Sequence, residues 1–370
     1  MSNGAEAWFS TDVRTGVSSV VHDSQVTFFV DAEEYYADLR SEVEATSGST
    51  GLVCWVGFDV ARTPPAGESP PDYIGSTPMP RAAVVPARKP FARRDPDLST
   101  DRTWLDLLTD ADARGVMIRG LLNLHPSPRS AAGYRGLNFD LAQKLNAAFS
   151  NGAVINDFRY LWLNGTHHQK LVVIRKQDLV WVAYVGTADV QRARISDRWC
   201  EVQCKITGGQ AVRQLYQVFF DRWIEHTEVR RRLPSQKSWL PDPASIPIPP
   251  RGPGTFVTQT AATYGNPRRA NPLSLVGPPT QVVNHAHRIR IDVPHLGWAA
   301  LLNTPLKRIE IGNDFFLEKD PAAPALISEA AAQSSTYSGP RASGQIGIYA
   351  MLLKAIAKAS QFIYFEDQYL

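Results

Sequence analysis

The chain has 370 residues, 44% of them hydrophobic and 20% charged, which is the composition of a globular protein with room for two cores. Its net charge of +3 neither requires nor excludes a polyanionic partner. The three cysteines exclude a disulfide framework and a zinc-binding spacing. No signal peptide and no apolar run of about 18 residues is visible, so the default expectation for localisation is the cytoplasm.

Helices and strands alternate along the first half of the chain. Tyr36, Leu39 and Val43 mark one face of a helix, and the apolar strand "GLVCWVGFDV" follows it. The pattern continues with a helix ending at Gly115, a strand, and a helix ending at Gly152. The strands "LVVI", "LVWVAYVG" and "WCEVQCKITG" then precede the helix "AVRQLYQVFFDRWIEH". This order predicts an α/β layered fold.

Proline marks the predicted domain boundary. The segment from Pro234 to Gly254 is rich in proline and predicts an extended connector without a helix. Near the end of the chain, a helical face that includes Ile348, Leu352 and Ile356 precedes the strand "FIYFEDQYL". Because the first half also begins with a helix followed by a strand, we expect an internal repeat. The predicted division is a first domain over 20–235, a linker over 236–256 and an incomplete second repeat over 257–370.

Two polar residues lie at the start of a predicted strand. In "GTHHQKLVVI", His168 and Lys170 are two residues apart, so their side chains point to the same face if the strand extends back to them. An imidazole can attack phosphorus, and a neighbouring ammonium can stabilise the phosphate oxygens in the transition state. The pattern therefore indicates a nucleophile or a base beside a fixed cation, a pair that needs no metal ion or other cofactor.

The motif His168-Gln169-Lys170, followed by "VGTADV", resembles the phospholipase D superfamily, whose pattern is H-x-K-x4-D with a downstream G-[GS]-x-[ND]. The resemblance implies an α/β/α layered domain and a phosphorylated histidine at His168. It also implies that Lys170 holds the phosphate and that Asp189 positions the pair. Further substrate contacts are expected from Gly186, Thr187, Asp178 and Gln368, with Gln368 in the closing strand.

The sequence departs from the family pattern at two places. The family aspartate, five residues after the lysine, is Arg175 here, and Asp178 lies three residues later. Restoring that aspartate by Arg175→Asp is then expected to raise activity. No second H-x-K occurs in the sequence, whereas the family uses a second histidine to protonate the leaving group. We expect the second half of the site from sequence beyond Leu370 or from a homodimer partner.

Three functions remain open on these residues. The resemblance favours a phosphodiesterase that hydrolyses or exchanges a phospholipid head group, with peripheral membrane contact. A nuclease acting as a homodimer is the alternative enzyme, and the weak net charge favours it less. A binding module that has lost catalysis is the third. Aromatic residues near strand ends, Trp55, Phe58, Trp162 and Trp181, fit either an apolar rim or core packing.

Overall fold

A computed structural model gives the structure of the chain in twelve stretches. Every helix in these stretches is too short or too polar to span a lipid bilayer. Apart from Ile363, the expected strand "FIYFEDQYL" and most of the expected second repeat lie outside them, so the repeat and the domain division stay predictions. The described residues are 6–10, 17–58, 60, 102–123, 137–157, 168–191, 194, 200–207, 209–246, 256–264, 345–361 and 363.

The elements of the first half alternate as the sequence predicts, and two strands are added that the apolar pattern did not reveal. A short 3-10 helix, Glu6–Trp8, precedes them. In chain order they are β1 (Val21–Val30), α1 (Ala32–Glu44), β2 (Leu52–Gly57), α2 (Trp104–Ala113), β3 (Met117–Asn123), α3 (Leu137–Ala148), β4 (Ala153–Asp157), β5 (Leu171–Arg175) and β6 (Trp181–Gly186). The unexpected strands are β1 and β4.

The remaining elements include two longer helices and several short pieces. They are β7 (Val202–Thr207), α4 (Gly209–Glu225), α5 (Thr227–Arg231), α6 (Ser235–Ser238), a 3-10 turn (Pro243–Ser245), β8 (Phe256–Thr258), β9 (Thr263–Tyr264), β10 (Gln345–Ile346) and α7 (Gly347–Lys358). In α7 the predicted face of Ile348, Leu352 and Ile356 forms, but each of the three side chains is about half exposed.

Eight strands form one sheet in the order β4-β3-β2-β5-β6-β7-β1-β8. β2, β3 and β4 are parallel, as strands joined by helical crossovers are. From β2 to β5 the pairing becomes antiparallel, and it stays so through β8. As a result the carboxyl ends of β2, β3, β4 and β6 meet the amino ends of β5 and β7. We name this side of the sheet the His168 end.

Helices cover both faces of the sheet. Side chains alternate along each buried strand, so every strand places apolar residues on both faces, and both need a covering layer. One face, the α1 face, packs Val53 and Trp55 of β2 against α1, α2 and α3. The other face, the α4 face, packs Leu52 and Cys54 against α4. The predicted helical residues Tyr36, Leu39 and Val43 are fully buried on the α1 face. The mixed α/β class predicted from the alternation is therefore confirmed.

The expectation that the proline-rich connector contains no helix is wrong. Ser235–Ser238 forms one helical turn directly after Pro234, and Pro243 begins the 3-10 turn. Both prolines lie where a missing backbone N–H costs nothing, at or before the first helical residue. The connector also packs on α4, since the Tyr216 hydroxyl donates to the backbone oxygen of Pro241 at 2.8 Å.

A buried carboxylate fixes the turn that leads into β4. Asp112 of α2 is 3% exposed and accepts hydrogen bonds from the backbone N–H groups of Ser150, Asn151 and Gly152 at 2.6, 3.0 and 2.6 Å. A side chain from one helix thus satisfies three backbone donors that follow the next helix. This contact joins α2 to the start of the edge strand.

We predict that Asp112→Ala lowers the free energy of unfolding by roughly 3 kcal/mol or more, because three backbone donors lose their acceptor. Asp110→Ala, two residues earlier in the same helix, is the matched control. Asp110 is 53% exposed and pairs with Arg102, so its loss should cost less than about 1 kcal/mol. Urea unfolding of both variants measures the difference. Equal losses would contradict the assignment.

Candidate functional site

The motif residues lie at the His168 end of the sheet, immediately before β5. His168 and Lys170 point to the α1 face, and Gln169 between them points to the α4 face. The Lys170 ammonium nitrogen lies 3.4 Å from Nδ1 and 3.3 Å from Nε2 of His168. His168 is exposed, whereas Lys170 is 6% exposed. The structure therefore brings together an accessible imidazole and a buried cation.

Asp189 joins Lys170 to the end of β2. Its Oδ1 accepts the backbone N–H of Phe58 at 2.8 Å, and its Oδ2 lies 3.4 Å from the Lys170 ammonium. The Tyr36 hydroxyl donates to the backbone oxygen of Asp189 and, at 3.1 Å, to that of Gln191. Asp189 is 1% exposed, so its charge is compensated inside the protein rather than by water. It is placed to orient Lys170.

Arg194 and Glu201 extend this charged cluster, and neither residue belongs to a recognisable sequence motif. Arg194 Nη2 lies 3.7 Å from Asp189 Oδ2, and its Nη1 lies 2.9 Å from Glu201 Oε1. Thr187 in turn donates its hydroxyl to Glu201. Both charged residues are at least nine-tenths buried. One sequence feature could have indicated this cluster. Glu201 is a charged residue directly before β7, in which apolar and polar residues alternate.

Gly186 allows β6 and β7 to approach closely beside the motif. A Cβ atom on Gly186 would lie 2.2 Å from the backbone oxygen of Val202 and 2.2 Å from Oε1 of Gln203. The backbone oxygen cannot move away without separating the strands. Thr187 is held by the same strand, since its backbone N–H donates to the Val202 oxygen at 3.0 Å. Both residues therefore shape the site through β7.

Phe58 is the aromatic residue that reaches the site. Its ring centroid lies 4.3 Å from that of His168 in an edge-on arrangement, and the Lys170 ammonium lies 5.0 Å from the Phe58 centroid. Trp55 and Trp181 are buried in the two hydrophobic clusters, so for them core packing is the role observed. Trp162 lies outside the described residues.

The electrostatic surroundings favour a neutral imidazole. Partial burial of the ring and the Lys170 ammonium lower the pKa of His168, against an opposing effect of Asp189. Burial also lowers the pKa of Lys170, and the Asp189 carboxylate offsets part of that effect. An imidazole with a pKa below its ordinary value of 6.5 is neutral at pH 7, and a neutral ring keeps the lone pair that a nucleophile needs.

Arg175 and Asp178 lie away from this cluster. Arg175 is five positions after Lys170 and ends β5, a span of about 17 Å at the usual rise of a strand. Arg175 donates to the Thr50 backbone oxygen at 2.5 Å, and Asp178 accepts the Val180 N–H at 3.1 Å within the β5–β6 turn. The expectation that Asp178 contacts the substrate together with His168 is not met. The extended strand β5 lies between the two residues and holds them at opposite ends.

Gln368, which the resemblance predicts as a substrate contact, lies outside the described residues. Within the described stretches, no group of three or more His, Cys, Asp or Glu side chains is arranged to hold a metal ion. The site built from described residues is therefore His168, Lys170, Asp189, Phe58, Arg194, Glu201, Gly186 and Thr187.

Comparisons with known proteins yield only a distant structural likeness. No protein-family model and no curated protein matches the chain. Among 37 matching chains of solved structures is the polyphosphate kinase from Porphyromonas gingivalis, with a TM-score of 0.33 and 12% sequence identity. The match covers 53% of this chain and 25% of the kinase chain.

The contact between Lys170 and His168 predicts a measurable titration. We expect the His168 imidazole to titrate below pH 6.5, and Lys170→Met to raise its pKa because the cation is lost while Asp189 remains. The proton signals of the ring, followed by NMR from pH 4 to 9, give both midpoints. Lys176→Met is the control, since Lys176 pairs with Glu42 at 3.0 Å beyond the far end of β5. A midpoint that Lys170→Met leaves unchanged would contradict the assignment.

Proposed function

We propose that the chain is a phosphodiesterase of the phospholipase D type, in which His168 is the nucleophile and Lys170 stabilises the phosphate. One observation carries the proposal. An exposed imidazole of lowered pKa lies 3.3 Å from an ammonium nitrogen that is held in place by a buried carboxylate. This combination exposes a nucleophile to solvent and fixes a positive charge beside the position that a phosphate oxygen would occupy.

The proposed reaction has two steps. In the first, a neutral nitrogen of His168 attacks phosphorus, an N–P bond forms, and the P–O bond to the leaving alcohol breaks. The leaving oxygen accepts a proton and departs as an alcohol. In the second, water or another alcohol attacks the phosphorus and gives up a proton, and the N–P bond breaks. Lys170 stabilises the charge on the non-bridging oxygens in both steps.

The leaving oxygen requires a proton donor in addition to His168. We assign that donor to a second half of the site, supplied by another part of the protein or by a second copy of the chain. The donor would have to approach the exposed side of His168, because Lys170 and Phe58 occupy the other contacts. In this arrangement the two halves enclose the phosphate between them.

A phospholipid is the substrate class that we favour. The aromatic ring of Phe58 borders His168, so the surface beside the reacting nitrogen is partly apolar. In addition, the net charge of +3 provides little general attraction for a nucleic acid. The head group would leave as the alcohol, by hydrolysis or by exchange with an acceptor alcohol. Peripheral contact with the lipid surface would accompany this substrate.

We predict that His168→Ala abolishes phosphodiesterase activity and that Lys170→Met lowers kcat by about 10²–10³-fold, the usual loss for one group that stabilises transition-state charge. Asp178→Ala is the control and should keep wild-type activity, since Asp178 lies in the far turn. Release of head group from phosphatidylcholine vesicles measures the activity. Acid-labile phosphate on His168 after a rapid quench tests the covalent step.

The same assay separates the three functions. Cleavage of single-stranded DNA in place of vesicles would identify a nuclease and contradict the lipid proposal. Binding of vesicles without turnover, by wild type and His168→Ala alike, would identify a binding module. Activity that survives in His168→Ala would contradict the role of His168 for either substrate.

We predict that Arg175→Asp gives no gain of activity. The residue lies at the far end of β5, where Arg175 donates to Thr50 and its guanidinium carbon lies 5.5 Å from the Trp181 ring centroid. An aspartate at position 175 would lie about 17 Å from Lys170 and would make neither of these two contacts. We expect kcat within about twofold of wild type, and a melting temperature lower by a few degrees. A large rise in kcat would show that the two ends of the strand are coupled.

A further inference from the structure

The middle residue of the motif is tied to the helix on the opposite face of the sheet. Gln169 points to the α4 face, where its Oε1 accepts a hydrogen bond from Arg222 Nη1 at 2.6 Å. Arg222 belongs to α4, which packs on this face along β5, β6, β7 and β1. The peptide that carries the nucleophile and the cation therefore has a fixed contact on its other side.

Arg222 is itself fixed by a buried carboxylate. Its Nη2 donates to Asp157 Oδ2 at 2.5 Å, and the two side chains are 3% and 1% exposed. Asp157 is the last residue of β4, at the His168 end of the sheet. Breaking a buried pair of this kind would leave an uncompensated charge. The pair therefore holds the guanidinium in place. Asp157, Arg222 and Gln169 form a chain from β4 through α4 to the motif.

The motif needs such a support because it lies outside the sheet. β5 begins at Leu171, and its pairing with β2 ends at Leu171 and Val56. His168 and Gln169 precede this last pair, so strand hydrogen bonds do not fix their orientation. A rotation of this peptide would move the imidazole and the Lys170 ammonium relative to each other and to a bound phosphate. Small displacements of reacting groups lower rates strongly.

We infer that Asp157, Arg222 and Gln169 are positioning residues that set the orientation of His168 from the opposite face of the sheet. The inference rests on the proposed function only for its catalytic readout. None of the three residues contacts the reacting atoms in this scheme. Their effect passes through the peptide of the motif, and Arg222 donates to the carboxylate and to the amide with separate nitrogens.

The test uses Gln169, because removal of buried Arg222 or Asp157 could unfold the chain. Gln169→Met keeps the length of the side chain but removes the acceptor, and Gln169→Glu restores an acceptor for Arg222. Gln177→Met is the matched control. The Oε1 of Gln177 accepts the Ser47 N–H at 3.2 Å near the β5–β6 turn, so the same substitution removes a hydrogen bond far from His168.

We expect Gln169→Met to lower kcat by about 10- to 100-fold with little change in KM, since a hydrogen bond to a charged group is lost without loss of a substrate contact. The His168 ring signals in the NMR spectrum should shift, and their titration midpoint should change. Gln169→Glu should recover kcat to within a few-fold. Gln169→Met and Gln177→Met should both stay folded at the assay temperature, as circular dichroism would show, so that a loss of kcat confined to Gln169→Met separates positioning from general destabilisation.

Wild-type kcat and unchanged His168 signals in Gln169→Met would overturn the inference, as would equal changes in Gln177→Met. Should every variant including wild type lack phosphodiesterase activity, the proposed function fails and the His168 signals decide the inference. Shifted signals in Gln169→Met, restored by Gln169→Glu, support it in that case. Unshifted signals reject it.

Discussion

The buried carboxylate of Asp189 is the contact on which the rest of the site depends. It accepts the backbone N–H that follows β2, lies 3.4 Å from the ammonium that precedes β5, and lies 3.7 Å from Arg194. A carboxylate that is 1% exposed is tolerated only with compensating donors and cations. The two cations and the Phe58 backbone supply them. The stability of this end of the sheet and the placement of Lys170 therefore have the same physical origin.

The motif is held by contacts on both faces of the sheet. On the α1 face, Asp189 and Tyr36 fix the cation and the loop after β6. On the α4 face, Arg222 holds Gln169. Alternation of side chains along an extended peptide makes this division possible, since each neighbour in H-x-K meets a different layer. A three-residue motif is thus anchored in two independent hydrophobic layers.

The sequence allowed the α/β class, most helices and the juxtaposition of His168, Lys170 and Asp189 to be predicted, because periodicity and local spacing carry that information. It did not reveal β1, whose first five residues include one apolar side chain, nor the roles of Arg194 and Arg222. Those partners come from distant elements, and a single sequence does not show which distant residues meet. Asp178 lies away from the site because β5 extends about 3.4 Å per residue between it and Lys170, and spacing along the sequence does not express that distance.

The β5–β6 turn has a practical consequence that follows from its position. Leu179 in that turn has φ 63°, a left-handed conformation that costs a residue with a side chain about 1–2 kcal/mol. Leu179 and Val180 are also exposed. Added residues would relieve the backbone strain and would extend into solvent, on the side of the sheet away from the charged cluster. A peptide tag or a fluorescent group inserted after Asp178 would therefore report on the protein, or tether it to a surface, while the imidazole stays accessible.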